Sequence, residues 1–244
     1  DEAAFLRDSD PWGFILFARN ISTPEGTRAL VAALRDAVGR QAPVFIDEEG
    51  GRVSRLQPPH WRRWPDAGEA VARLDDSQAE TVMRLRYRLI AADLAALGID
   101  CNCAPVVDVR FAQTHPVIGM RAYGTSAARV SLLARAAWDG LTAGGVLPVI
   151  KHLPGHGRAT QDSHLALPVV DAPRADLEGV DFAAIKPLAD APMGMTAHIL
   201  YTALDPDACA TFSPKVIGLL RREIGFRGLL MTDDISMGAL SEPM

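Results

Sequence analysis

The chain has 244 residues, 48% of them hydrophobic and only 6% aromatic, enough to bury one substantial core in a single domain spanning residues 1–244. Its formal net charge is -5 and its basic residues are scattered, which argues against a nucleic-acid-binding face. No apolar run approaches the roughly 20 residues of a membrane span, and the opening DEAAFLRDSD lacks the basic and apolar regions of a signal peptide, so the expectation is a cytoplasmic protein with no membrane partner.

The first strand-like run is GFILF (13–17). A helix over TRALVAALRDAVG follows, with Thr23 as N-cap and Pro24 at its first position. PVFID (43–47) is the second strand and ends on Asp47. It leads into IDEEGGRVSRL (46–56), which turns on Gly50 and Gly51 and then presents Arg52 and Arg55. On its own this reads either as a tight turn with a solvated charge pair or as a ligand loop, because an aspartate leaving a buried strand is costly without a partner. The periodic segment AETVMRLRYRLIAADLAALG predicts a long helix closed by Gly98. IDCNCAPVVDV (99–109) is the third strand; it carries Asp108 near its end, and Cys101 and Cys103 share one face. With Cys209 these make three cysteines, with no CxxC pair and no even framework, as in reduced intracellular thiols.

GMRAYG (119–124) holds a lone Arg121 between glycines, which by itself reads as a surface loop. ARVSLLARAAWDGLTAGG predicts another helix with Gly144 at its end, and VLPVIKH (146–152) a fourth strand ending in Lys151 and His152. MGMTAHI (193–199) and RGLLMTD (227–233) are the fifth and sixth strands, ending near His198 and at Asp233; between them SPKVIGLLRREIG is a helix from Ser213 and Pro214 to Gly225. These runs are almost wholly apolar, as parallel strands buried on both faces should be. Their alternation with helices implies a parallel sheet, doubly wound or closed as a barrel. Asp47, Asp108, Lys151, His152, His198 and Asp233 all fall at the C-terminal ends of different strands. A ring of such ends favours a (β/α)8 TIM barrel, since doubly wound sheets use one switch point.

KHLPGHGRATQDSH (151–164) admits three readings. His152, His156, Asp162 and His164 could hold a metal, but no HxH, HExxH or CxxC spacing is present and Lys151 places a cation among them. A phosphate cradle would need the Walker pattern, which is absent. In the third reading Asp162 orients His164 as a proton-transferring pair. In MTDDISMGAL (231–240) two acids follow an apolar run and cannot both face a dry core. Asp234 could be an N-cap, while a carboxylate opposite a proton shuttle suits displacement at an acetal carbon.

Taken together, GFILFARNI, IDEEGGRVSRL, CAPVVDV, RAYG, KHLPGHGRATQDSH, MTAHI and TDDISMGA resemble, in order, the blocks of glycoside hydrolase family 3, in its branch of cytoplasmic β-N-acetylglucosaminidases of the NagZ type. The resemblance implies a retaining β-N-acetylhexosaminidase on a TIM barrel, with no metal or cofactor. It also implies a GlcNAc-anhydro-muropeptide of peptidoglycan recycling as small-molecule partner, and we expect a monomer. By the same resemblance Asp233 takes the place of the nucleophile, His164 that of the acid/base and Asp162 that of its partner. Asp47, Arg55, Arg121, Lys151 and His152 match sugar-binding positions, and His156 and His198 match positions without a defined role. Leu153 departs from the family's usual phenylalanine, a change in packing more than in chemistry. The resemblance makes GFILF the second barrel strand and RGLLMTD the seventh, so the barrel is expected to be incomplete at both ends. The missing initial methionine and the stop at SEPM likewise suggest a fragment of a longer protein. A metal-dependent barrel hydrolase, a GlcNAc phosphorylase of the same family and a non-catalytic sugar-binding remnant are the competing readings.

Overall fold

Apolar runs buried on both faces have no stable place except inside a parallel sheet, and the six runs pair there in the order in which they occur. In the computed structural model, which describes residues 1–240, the strands are β1 (Phe14–Leu16), β2 (Val44–Ile46), β3 (Cys101–Asn102), β4 (Leu147–Leu153), β5 (Val169–Val170), β6 (Met193–Thr196), β7 (Leu200–Tyr201) and β8 (Leu229–Thr232). The main sheet runs β1-β2-β3-β4-β6-β8, parallel throughout. β5 and β7 form a separate parallel pair of two residues each, too short for any periodicity to announce. The third run, expected over 99–109, is regular only at Cys101–Asn102. Beyond it the ladder continues unevenly, with Cys103 donating to Ile46 and Val149 to Ala104, because Pro105 has no N–H to give.

The sheet curls into part of a barrel. On its inner face Phe45, Cys101, Cys103, Val149, Met193 and Met195 form one small apolar cluster, joined by Met231. The expected shared face of Cys101 and Cys103 is this inner one. Leu16, Ile46 and Ile150 point the other way, into the large core beneath the helices. A closed eight-stranded barrel is not formed: among the described residues β1 and β8 are the outer strands of an open sheet. The inner face accordingly leaves Ile15 38%, Leu147 47% and Leu229 42% exposed.

Outside the sheet lie α1 (Glu2–Ser9), α2 (Pro24–Val38), α3 (Ala67–Val71), α4 (Asp76–Ala96), α5 (Ala127–Ala143), α6 (Arg174–Asp176), α7 (Phe182–Ile185) and α8 (Pro214–Leu219). The expected caps form: Thr23 Oγ accepts from the Gly26 N–H at 3.1 Å and Ser213 Oγ from that of Val216 at 3.1 Å. At the end of α5 the left-handed position belongs to Gly145 (φ 81°), one residue beyond Gly144, which stays right-handed. No helix among the described residues is long and apolar enough to cross a membrane.

Helices α4 and α5 meet at Gly140, where an added Cβ would lie 2.3 Å from the Arg84 carbonyl oxygen and 3.0 Å from the Arg88 nitrogen. Helix propensity alone would make Gly140→Ala stabilising by about 1 kcal/mol. Forcing two backbones apart costs roughly 1–3 kcal/mol, so urea unfolding should show a net loss. A gain in stability would contradict this packing.

Candidate active site

The C-terminal ends of β1, β2, β4, β6 and β8 open into a cavity of about 720 Å³. Asp47, Arg55, Arg121, Lys151, His152, His164 and Asp233 all line it, and Asp162 stands behind His164. Eight side chains singled out from four separate sequence blocks are therefore brought together at one place.

The floor is a buried cluster of charges. Lys151, at the end of β4, lies between two carboxylates, with its Nζ 2.8 Å from Asp47 Oδ1 and 2.7 Å from Glu49 Oε1. Asp47 also pairs with Arg55 at 3.1 Å, and Glu49 takes a two-pronged grip from Arg121, Nε to Oε2 at 2.9 Å and Nη2 to Oε1 at 2.7 Å. Burial pushes both carboxyls towards the neutral form, but the facing cations outweigh it. Lys151 and Arg55 hold Asp47 below the usual carboxylate range, and Arg121 and Lys151 hold Glu49 well below it. The same carboxylates keep Lys151 charged although it is 2% exposed.

Arg121 is buried, and the surface loop that its flanking glycines suggested is not what forms. Glu49, 72 residues away, draws the guanidinium inward. The loop after β2 is itself tied down by Glu48, whose Oε2 accepts from the Arg55 and Leu56 amides at 2.8 and 2.9 Å and whose Oε1 lies 2.5 Å from the Ser54 hydroxyl. Its main chain pairs with the Asn102 side chain in both directions. The two glutamates of IDEEGG are thus buried supports, not solvated charges. Glutamates in a loop are usually exposed, so neither is marked as buried except by its position directly after a buried strand.

A second buried pair lies beside the first. Asp108 accepts from His152 Nδ1 at 2.7 Å and from the His156 backbone N–H at 2.6 Å. A carboxylate can only accept, so His152 carries a proton on Nδ1, and its Nε2 lies 3.4 Å from Arg121 Nη2. Burial raises the Asp108 carboxyl, and His152 beside it more than reverses that. Leu153 is fully buried in the main core, away from the cavity.

The last two groups stand on loops. Asp162 Oδ1 accepts from His164 twice, from the backbone N–H at 2.9 Å and from Nδ1 at 2.7 Å. This directs Nε2 of a largely exposed ring away from Asp162. After β8 the two acids separate. Asp234 accepts from the Ser236 amide and hydroxyl at 2.8 and 2.7 Å, which lowers its pKa, and His198 Nε2 donates to the Asp234 carbonyl at 3.1 Å. Asp233 is half-buried, accepts from the Asp234 amide at 2.8 Å, and among the described residues makes no ion pair. A metal site at His152, His156, Asp162 and His164 is not what the geometry builds: each is engaged with a different neighbour, and among the described residues no three His, Cys, Asp or Glu side chains converge as ligands.

The sequence profile of the glycosyl hydrolase family 3 N terminal domain matches residues 1–244. A β-hexosaminidase of Alkalilimnicola ehrlichii is 40% identical over 235 residues, covering 94% of this chain and 67% of that protein. A β-hexosaminidase of Pseudomonas aeruginosa is 36% identical over 242 residues, covering 97% and 70%. Among solved structures, a family 3 β-N-acetylglucosaminidase from Paenibacillus has a TM-score of 0.90 at 34% identity, covering 99% of this chain and 47% of that one. NagZ from Neisseria gonorrhoeae in complex with N-trifluoroacetyl-D-glucosamine has a TM-score of 0.85 at 34% identity, covering 93% and 67%. The chain thus spans about two thirds of the length of these curated relatives and about half of the Paenibacillus chain.

Burial pushes Glu48 up to about 7 from the ordinary 4.5, against the pull of its hydrogen bonds. The stability tied to its protonation is therefore complete below pH 4.5 and is lost as the pH rises through 7. Glu48→Gln keeps an oxygen for the two amides and gives an N–H₂ to Ser54, which still donates to the Leu56 carbonyl at 3.1 Å. Urea unfolding across pH 4.5–7 should show the variant gaining on the parent by roughly 1.4 kcal/mol per unit, up to about 3 kcal/mol. A difference that does not change with pH would contradict a buried, proton-holding Glu48.

Proposed function

This chain belongs to glycosyl hydrolase family 3, and from the site it builds we propose that it is the catalytic part of a retaining exo-β-N-acetylglucosaminidase. The observation that carries the reading is that a carboxylate, Asp233, and a separate carboxylate-held imidazole, His164, line one cavity over a floor of buried, hydrogen-bonding charges. The named substrate groups of the relatives, β-hexosaminide and N-acetylglucosamine derivatives, agree with it.

In the first step the Asp233 carboxylate attacks the anomeric carbon while His164, as imidazolium, gives its Nε2 proton to the departing glycosidic oxygen. Asp162 stabilises that cation and fixes the ring. In the second step the neutral imidazole takes a proton from water, which displaces Asp233 from the opposite face and returns the sugar with its original β configuration. The floor positions the ring. Asp47 accepts from the 4- and 6-hydroxyls, Lys151 has a third N–H beyond its two carboxylate contacts, and Arg55, Arg121 and His152 complete the set. Fixed charges of this kind cost no reorganisation when substrate arrives.

We take the open sheet as a sector of a (β/α)8 barrel, residues 1–244 as one catalytic domain, and a GlcNAc-anhydro-muropeptide of cytoplasmic cell-wall recycling as the natural substrate. Asp233→Ala should lower kcat on p-nitrophenyl β-GlcNAc by roughly three or more orders of magnitude with the fold intact. Asp234→Ala should cost far less, because its carboxylate serves Ser236. Near-normal turnover by Asp233→Ala beside a dead Asp234→Ala would reverse the assignment.

A further inference from the structure

The segment carrying Asp162 and His164 is held at its middle residue. Ser163 is 4% exposed although its neighbour His164 is open to solvent. Its Oγ lies 3.2 Å from Nε2 of His156, a buried ring whose Nδ1 meets no hydrogen-bond partner among the described residues. Burial, aided by His152, pushes His156 down to about 4, so the ring is neutral at pH 7. Placing the proton on Nδ1 would bury an orphaned N–H, so Nε2 carries it and donates to the Ser163 hydroxyl. The His156 backbone N–H in turn donates to Asp108, the carboxylate that orients His152 on the floor. One hydroxyl therefore ties the proton-transfer loop to the sugar-binding floor.

The same loop is also tied to the segment that follows β8. The Gly238 N–H donates to the His164 carbonyl at 3.0 Å and the Ala239 N–H to the Ser163 carbonyl at 3.0 Å. Both donors lie on the segment that follows Asp233. A Cβ at position 238 would fall 2.7 Å from the His164 carbonyl oxygen and 2.6 Å from that of Leu165. Both are backbone atoms with no flexible side chain to yield, so the approach requires glycine there.

We propose that Ser163 and Gly238 are positioning residues that clamp the His164 loop to the floor and to the Asp233 segment, so that the two catalytic groups are placed as one coupled unit. The proposal rests on the roles given to Asp233 and His164 above. Among the described residues the His164 ring is otherwise held only by Asp162, a neighbour two residues away on the same loop. Proton transfer needs hydrogen-bond reach, so releasing the clamp removes the acid without touching the sugar contacts.

The test compares kcat/KM, which reports glycosylation, on 2,4-dinitrophenyl β-GlcNAc and on a β-GlcNAc disaccharide. The phenolate leaves without a proton and the sugar alkoxide does not. Ser163→Ala and Gly238→Ala should each lose at least about ten-fold more on the disaccharide than on the aryl glycoside. In a His164→Ala background either change should add less than about two-fold to the disaccharide loss, since the group it positions is already gone. Ser163→Ala removes one oxygen and adds nothing, so it carries the test alone if Gly238→Ala does not accumulate as folded protein. Losses equal on both substrates, or full additivity with His164→Ala, while His164→Ala itself remains leaving-group dependent, would overturn the clamp. A His164→Ala enzyme with equal losses on both substrates would overturn the acid/base reading, and the clamp's purpose with it.

Discussion

A lysine ammonium cannot be buried at the end of an apolar strand unless carboxylates meet it, and the Lys151 pairing with Asp47 and Glu49 is the constraint on which the site depends. Once Lys151 is fixed, Asp47 and Glu49 must both point inward from the end of β2. Their remaining oxygens then call for Arg55 and Arg121. Arg121 comes from a distant loop, which is thereby drawn over the cavity. Glu48, Asn102 and the amides of Arg55 and Leu56 satisfy the backbone that this arrangement buries. Removing any single member would leave a charge without its partner, which costs more than the pair contributes.

The cavity walls divide by rigidity. Asp47, Lys151 and Asp108 sit at or just beyond strand ends, backed by the inner cluster of Phe45, Cys103, Val149 and Met195. Asp162, His164 and Asp233 stand on loops, with the His164 ring largely exposed and the two carboxylates half-buried. A glycosidase needs both kinds of surface. The ring must be gripped by groups that do not move, and the acid/base must reach first a leaving oxygen and then a water. Hydrogen bonds from Gly238 and Ala239 to the carbonyls of His164 and Ser163 join the two loops directly.

Much of this was legible in the sequence because the fold uses long, unambiguous signals. Six apolar runs broken by amphipathic helices specify a parallel sheet, and parallel sheets place their ligand groups at strand C-termini. Asp47, Lys151, His152 and Asp233 could therefore be located by position alone. Glu48, Glu49 and Arg121 could not, because their burial comes from pairing across the fold, as with Glu49 and Arg121, 72 residues apart. β5 and β7 escaped because two residues carry no period. The left-handed turn at Gly145 and not Gly144 shows the same limit: adjacent glycines mark a helix end without saying which takes the positive φ. Ser163 lay unread inside the DSH block, since a serine between an aspartate and a histidine gives no local sign that His156 will meet it.

On the proposed reading a carboxylate, Asp233, and a separate imidazole, His164, on two different loops divide the chemistry into two displacements. The most direct test is the anomeric configuration of the first product, followed by proton NMR from the moment substrate is added. Two displacements release β-GlcNAc first, with the α-anomer growing in only at the rate of spontaneous mutarotation. Initial release of α-GlcNAc would mean a single displacement by water and would contradict the role given to Asp233.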